Sequence, residues 1–272
     1  MKLALHYLGY LRGGAGGTWL SLASLLIVWE LLARGAAIDG FPPATEALVQ
    51  VPAILGDREA LLSIAASLRR MFLGGLLAIL IAIPVGLAMG RNKRIAQALN
   101  PVLTAAYPIP KAALMPIVML WFGVGDLSKV LVIFLGVSLP LLYHSYHGAH
   151  AVDEKLLWSA MAMGMKPVGR LFKVVLPSAL PEVLLGCRVG LAMALIVMIS
   201  SEMIARQSGA GDLLFNALDM ALYADVYAMI AILAGIGFAL DFVFERIRRR
   251  LTHWAETRQD SGGAAGFSGS ST

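Results

Sequence analysis

The chain has 272 residues, 58% of them hydrophobic and only 14% charged, and its mean hydropathy is +0.76. Soluble domains hold roughly half apolar and a quarter charged residues, so this composition excludes an ordinary soluble domain and implies an integral membrane protein. A net charge of +5 would suit a nucleic-acid partner, but the excess cations lie beside membrane exits, where anionic headgroups and insertion bias account for them, and no nucleic-acid role is expected.

The opening residues 1–17 end in GGAGG at 13–17 and loosely imitate a signal peptide. The apolar run that follows, 18–38, is longer than a signal core, which favours an uncleaved first span. Five more apolar runs lie at 71–90, 102–122, 130–147, 180–204 and 226–244. Each is long enough, or nearly so, to cross a bilayer as a helix. None alternates every second residue as a lumen-facing strand would, so the predicted fold is an all-α integral membrane bundle of six transmembrane helices.

Within the first run, Glu30 beside Trp29 reads as a packing residue. The segment 39–62, with FPP at 41–43 and apolar residues at near-helical spacing, predicts one or two short interfacial helices leading into the second span. Arg69 and Arg70 begin that span and are expected to snorkel outward. Lys111 sits in the third run among Pro108, Pro110 and Pro116, where a broken helix would free backbone groups that need a polar or water-filled lining. Trp121 and Phe122 read as interfacial belt residues. His144, His147 and His150 recur every third residue at the exit of the fourth run and read as interface histidines rather than metal ligands.

In the fifth run, Arg188 and Glu202 lie fourteen residues apart. They share a helix face but stand about 21 Å apart, too far to pair with each other. Cys187, the single cysteine, cannot form an internal disulfide. Two small-residue pairs, Gly86 with Gly90 and Gly186 with Gly190, form G-x-x-x-G and suit close helix packing within the chain, with a dimer seam as the other reading. After the fifth run an SGAG turn and a short amphipathic helix at 206–225 are expected to cap the mouth of the bundle. The Gly/Ser-rich tail from Gln259 is expected to be disordered.

Loop cations set the orientation. One set of loops holds fourteen Lys and Arg; the opposite set holds four, Arg34, Arg58, Lys129 and Arg206, and collects most loop carboxylates. Both termini are therefore expected in the cytoplasm. The expected organisation is a cytoplasmic lead at 1–17, one transmembrane domain at 18–250 and a cytoplasmic tail at 251–272.

The basic interruption WSAMAMGMKPVGRLFKVVLP, residues 158–177, then falls on the cytoplasmic side. Asp153 suits the N-cap of a helix through EKLLWSAMAM, with Glu154 in its first turn. Gly164 suits the left-handed closing position, and Pro167 the first turn of a second helix. The segment 153–177 is thus predicted to be helix, sharp turn, helix, displaying Leu156, Leu157, Met161, Met163 and Met165 as an apolar knob for another protein.

That spacing resembles the EAA loop of bacterial ABC-importer permeases, whose pattern is E-A-A, three residues, Gly, nine residues, Ile, one residue, Leu-Pro. Here Trp158, Ser159 and Ala160 stand at E-A-A, followed in register by Gly164, Val174, Leu176 and Pro177. Trp158 replaces the usual Glu and Ser159 the first Ala; Glu154, one turn earlier, is the nearest acid. The stretches YPIPKAALMPIVMLWFGVGDLSK at 107–129, YHSYHGAHAVDEKLL at 143–157 and GCRVGLAMALIVMISSEMIARQSGAGDLL at 186–214 resemble the nitrate, sulfonate and taurine branch of these permeases.

The resemblance implies a type I importer permease: two copies of the chain, two cytoplasmic ATPase subunits that use ATP and Mg, a soluble binding protein outside, and a coupling segment that includes Trp158, Ser159, Ala160, Gly164, Met165, Pro167, Leu176 and Pro177. It implies a bacterial inner-membrane location and a small anionic solute, such as nitrate, an alkanesulfonate or taurine. Import of a thiamine-precursor pyrimidine is the alternative. The sequence carries neither G-x-x-x-x-G-K-[ST] nor H-E-x-x-H, so no cofactor and no covalent chemistry are expected of this chain. Lys111, Arg188 and Glu202 are candidates for the translocation pathway; ion pairing or loop anchoring is the competing role for each. A secondary transporter would need intramembrane acids or two similar halves, and an intramembrane enzyme a paired catalytic constellation; neither is evident.

Overall fold

Every backbone amide in hydrocarbon must find its partner within the protein, which leaves helices as the economical answer for a chain this apolar. The computed structural model describes residues 15–36 and 38–253, and no strand occurs among them. The helices are α1 Ala15–Ala36, α2 Ala44–Gly56, α3 Arg58–Arg91, α4 Lys93–Ala106, α5 Met115–Phe122, α6 Asp126–His150, α7 Glu154–Ala162, α8 Pro167–Ala205, α9 Ala210–Asp219 and α10 Tyr223–Leu251. The expected disordered tail from Gln259 and nearly all of the lead at 1–17 lie outside the described residues.

Among the described residues, four helices are long and apolar enough to cross a membrane: α3, α6, α8 and α10. The third expected run is broken among its prolines, as the sequence suggests: α4 and the segment Lys111–Phe122 meet at 87°, and they make a fifth crossing only if taken together. The cause is Pro108 and Pro110. Each lacks the N–H a helix needs; Tyr107 before Pro108 still holds helical angles, φ −59° and ψ −48°, and the backbone turns extended by Pro110, at ψ 110°. A short 3₁₀ turn, Lys111–Leu114, restarts the chain. The first expected run corresponds to α1.

The boundary of the second span also moves. The segment 39–62 does hold an expected short helix, α2 at Ala44–Gly56, but its last residues belong to α3, which begins at Arg58 and runs 34 residues without interruption. Its start is set by Asp57, whose carboxylate accepts the Glu59 and Ala60 amides at 3.1 and 3.3 Å. The second arm of the basic segment likewise does not stop before the fifth span. It continues into it as α8, 39 residues long, through a wide π-type turn at Leu171–Val175. Pro177 has no N–H to offer the Lys173 carbonyl, which loosens the ladder just where that wide turn lies.

The chain divides into two compact units. One comprises residues 15–63 with Leu213–Ala234. Here Glu30 receives Arg34 at 2.7 Å and accepts the Thr45 amide at 3.0 Å, so it closes the open first turn of α2. Trp29 donates to the Pro42 carbonyl at 3.1 Å and packs on Tyr227, ring centroids 5.5 Å apart.

The other unit comprises Ile64–Asp212 and residues 235–253, with α6 at its centre. Its core includes Met71, Ala78, Met115, Ile133, Leu141, Val197 and Met198. Both G-x-x-x-G pairs face α6 from within the chain. A Cβ on Gly86 would meet the Leu142 carbonyl and Ser145 Cβ at 2.6 Å, and one on Gly90 would meet Ala149 Cβ at 2.6 Å. A Cβ on Gly186 would meet His144 Cβ at 2.6 Å, and one on Gly190 would meet Val137 at 3.0 Å. Small residues let the backbones approach where lipid supplies little drive for helix association.

Gly86→Val forces overpacking against a backbone carbonyl and is expected to cost about 1–3 kcal/mol. Gly75→Ala, where a Cβ would meet nothing within 4 Å, should be silent. Thermal unfolding of both variants in detergent checks the contrast.

Candidate functional site

The elbow at 153–177 is built from its caps inward. Asp153 accepts the Lys155 amide at 2.9 Å and starts α7. At the other end the Met165 amide donates to the Ala160 carbonyl at 3.0 Å and the Gly164 amide to the Met161 carbonyl at 2.9 Å. This is a Schellman closure, and Gly164 at φ +75° occupies its left-handed position. Lys166 is extended at ψ 156°, as a residue preceding proline should be, and Pro167 opens α8.

Leu157 is buried among Leu87, Ala149, Val175 and Val183, and Ala160 is buried beside it on α7, which roots the elbow in the bundle. Leu156, Trp158, Met161 and Met163 project outward, Met163 at 74% exposed and Trp158 at 60%. Of the expected apolar knob, Leu157 is therefore the exception, because it faces the core. Ser159 donates to the Lys155 carbonyl at 2.9 Å, so it is committed to its own helix. Leu176 and Pro177 are half-buried in the first turns after the wide turn. Glu154 pairs with Arg91 at 2.9 Å and ties α7 to the end of α3. An acid is thus present one turn before the position where Trp158 replaces the usual glutamate.

At the opposite end of α6 lies a charge cluster that sequence reading missed in large part. Glu202 is wholly buried near the end of α8. It takes Arg70 Nη1 at 2.7 Å, the Ser67 hydroxyl at 2.7 and 2.8 Å, and the Gly211 amide at 3.1 Å. Ser67 in turn accepts the Ala210 amide at 2.8 Å. Arg70 also donates to Asp126 at 2.7 Å, to the Ser208 hydroxyl at 2.7 Å and to the Ser208 carbonyl at 3.1 Å. Lys129, 1% exposed, reaches the same carbonyl at 2.9 Å. Arg206 ends α8 in the left-handed region at φ 47°, and Gly209 follows at φ +118°. A Cβ at Gly209 would land on the Glu202 carboxylate, so this turn requires glycine.

These contacts make residues 208–211 a latch on α3, α6 and α8. Arg70 does not snorkel outward as expected; it is 3% exposed and points into the bundle, because Glu202 and Asp126 neutralise it there. Arg69 keeps the expected exposure and pairs with Asp126. The signal that could have exposed the cluster was the balance of charge around the span ends. Asp126, Lys129, Arg70 and Glu202 are each costly alone at membrane depth and affordable only together.

The other two pathway candidates are also engaged. Arg188 makes a bidentate pair with Asp241, 2.7 and 2.8 Å, and lies 3.3 Å from Glu245 one turn further along α10. Lys111 turns its ammonium back on the broken helix, donating to the carbonyls of Ala106 at 2.6 Å, Ile109 at 2.5 Å and Tyr107 at 3.5 Å. It satisfies the backbone that the prolines free. Lys111, Arg188 and Glu202 therefore do not converge on one site. His144 pairs with Glu182 at 2.7 Å, and among the described residues no group of three potential ligands is gathered for a metal ion.

Removing one partner of the buried Arg70–Glu202 pair strands the other charge. Arg70→Leu or Glu202→Leu alone is expected to cost about 3–5 kcal/mol, and the double variant less than the sum. A double-mutant cycle on thermal unfolding in detergent measures this.

A family model described as the binding-protein-dependent transport system inner membrane component matches residues 59–253. The chain is 34% identical over 241 residues to the taurine transport system permease protein TauC of Escherichia coli (strain K12), covering 86% of this chain and 88% of that one. It is 30% identical over 238 residues to the putative aliphatic sulfonates transport permease protein SsuC of Bacillus subtilis (strain 168), covering 85% of each. It is 25% identical over 231 residues to the nitrate import permease protein NrtB of a Synechocystis strain, covering 82% of this chain and 84% of that one. Among solved structures, an inward-facing conformation of the MetNI methionine ABC transporter matches 71% of this chain and 95% of its own with a TM-score of 0.61; at 17% identity that likeness concerns the fold alone. The chain belongs to the binding-protein-dependent transport system inner membrane components, a family of transport proteins rather than enzymes, on the branch whose named members are taurine, sulfonate and nitrate permeases.

Proposed function

We propose that this chain is the membrane-spanning permease subunit of an ATP-driven ABC importer for a small sulfonate-type or related solute. The observation that carries this reading is the elbow. A rigidly capped helix–turn–helix presents Leu156, Trp158, Met161 and Met163 to a partner, while Leu157 and Ala160 root it in the bundle. Family membership and the taurine and sulfonate relatives support the solute class.

In this reading α1 and the bent α4–α5 pair complete six crossings, and both termini and the elbow face the cytoplasm. Two copies of the chain pair in the membrane, and each elbow seats in a groove of an ATPase subunit. ATP-driven closure of the ATPases draws the elbows together and shifts the population between inward- and outward-open states, because nucleotide binds one arrangement better than the other. A soluble binding protein delivers solute to the outer loops. The permease itself holds neither nucleotide nor cofactor; ATP and Mg belong to the ATPase. Trp158, Ser159, Ala160, Gly164, Met165, Pro167, Leu176 and Pro177 form or support the coupling surface.

Gly164→Pro removes the amide given to Met161 and cannot adopt φ +75°, because proline is held near −65°. The expected outcome in vesicles reconstituted with the ATPase and binding protein is normal insertion and ATP hydrolysis with uptake reduced at least about tenfold. Gly164→Asn, which tolerates the left-handed region, should retain most uptake. Normal uptake by the proline variant would remove the coupling assignment.

A further inference from the structure

Where α3 ends and the elbow begins lies a cleft of about 400 Å³ whose walls include Arg91, Ile95, Leu157, Arg170, Leu171 and Val175. Its depth in a bilayer follows from the chain. The apolar stretch 71–90 of α3 covers about 30 Å, the thickness of the hydrocarbon, so Arg91 follows it at headgroup level.

The α8 wall is one helical stripe, Pro167, Arg170, Leu171 and Val175, residues three and four apart that share a face. Val175 is buried and Leu171 packs on the core that holds Leu87 and Ala149. The stripe therefore faces the bundle and carries Arg170 inward with it, whereas Lys166 and Lys173 on the same segment are exposed. Arg170 is half-buried, and among the described residues its guanidinium has no hydrogen bond or ion pair. On the α3 wall, Arg91 gives Nη2 to Glu154 at 2.9 Å and Nη1 to the Ala149 carbonyl at 3.4 Å, which leaves further N–H donors. Glu154 thus offsets one of the two positive charges and not both. Lys93 and Arg94, exposed at the start of α4 after the Asn92 cap, add to the same sign at the rim.

A guanidinium drawn out of water is costly until an anion completes it, and its planar fork matches a phosphate with paired N–H donors. Basic pockets between membrane helices take anionic lipid headgroups. A free phosphate would fill the basic end alone and leave Ile95, Leu157 and Leu171 uncovered; a lipid brings apolar atoms to them as well. We propose that this cleft binds the phosphate of an anionic phospholipid, held by Arg170 and Arg91, with the glycerol end on Ile95 and Leu171, so that one lipid spans the junction of α3, α4 and the elbow.

The test is native mass spectrometry of the assembled permease–ATPase complex titrated with short-chain phosphatidylglycerol, short-chain phosphatidylcholine or inorganic phosphate. Phosphatidylglycerol should bind saturably and at least about tenfold more tightly than phosphatidylcholine. Arg170→Gln should weaken it about tenfold, the loss of one charge-assisted contact. Lys173→Gln, which removes the same charge from the exposed side of the same helix, should change it less than about twofold. Arg170→Lys, which keeps the charge but not the paired donors, should fall between wild type and Arg170→Gln; it decides the matter if the glutamine variant does not assemble, which the same spectra report. Equal losses in Arg170→Gln and Lys173→Gln would mean general attraction to a basic surface and overturn the site. So would wild-type affinity in both Arg170 variants, or an absence of saturable lipid binding once the ATPase is in place. Inorganic phosphate bound as tightly as the lipid and lost in Arg170→Gln would overturn the lipid assignment. None of these readouts uses transport, so a complex that binds the lipid but moves no solute would remove the importer reading and leave this site standing.

Discussion

A carboxylate with no water in reach must be neutralised where it stands, and Glu202 is the residue around which one end of this bundle is organised. Ion pairing with Arg70 supplies the charge, and Ser67 and the Gly211 amide supply the remaining hydrogen bonds. Buried ionic groups are tolerable only when fully satisfied, because a half-satisfied network costs more than an apolar core. That condition fixes α3, α6, α8 and the 208–211 turn relative to one another more sharply than apolar packing alone. The same rule explains Arg188 on Asp241 and Lys111 on its own freed carbonyls. Arg70, Lys129, Arg188 and Lys111 are each engaged by groups of the chain itself.

The latch and the elbow share helices. α3 carries Ser67 and Arg70 near one end and Arg91, partner of Glu154, at the other. α8 begins at Pro167 in the elbow and ends beside Glu202. α6 starts with Asp126 and Lys129 in the latch and finishes just before Asp153 caps α7. At 1.5 Å per residue, α6 alone covers about 37 Å. Close glycine contacts along α6 leave little room for these rods to slide independently. The elbow and the latch thus sit at opposite ends of the same closely packed helices.

Much of the elbow was legible in the residues. Asp153, Gly164 and Pro167 are strong local signals whose mechanisms are set by one or two backbone dihedrals, and the structure places all three as expected. Apolar runs located the spans for the same reason: twenty residues of hydrocarbon admit few alternatives. The misses are long-range or cooperative. Arg70 looked like a snorkelling residue because its partners lie 56 and 132 positions away, and no local pattern shows which way a guanidinium turns. The prolines marked where the third span breaks, but hydropathy has no term for the 87° between its halves. Leu157 and Leu156 are chemically alike, and only the packed helix decides which is buried.

The length of α8 has a mechanical consequence. Its 39 residues extend about 58 Å, nearly twice the roughly 30 Å of hydrocarbon in a bilayer. The helix is therefore longer than one upright crossing needs, and its elbow end is held by Leu157 packed among Leu87 of α3 and Ala149 of α6. Pro167 and Glu202 are separated by about 52 Å of helix, so a rotation of about 10° pivoting near Glu202 sweeps the elbow through about 9 Å, within the scale of known rigid-body transitions. With Leu157 of the elbow packed on α3 and α6 and Glu202 paired at the other end, such a tilt has to be shared by the bundle rather than made by α8 alone.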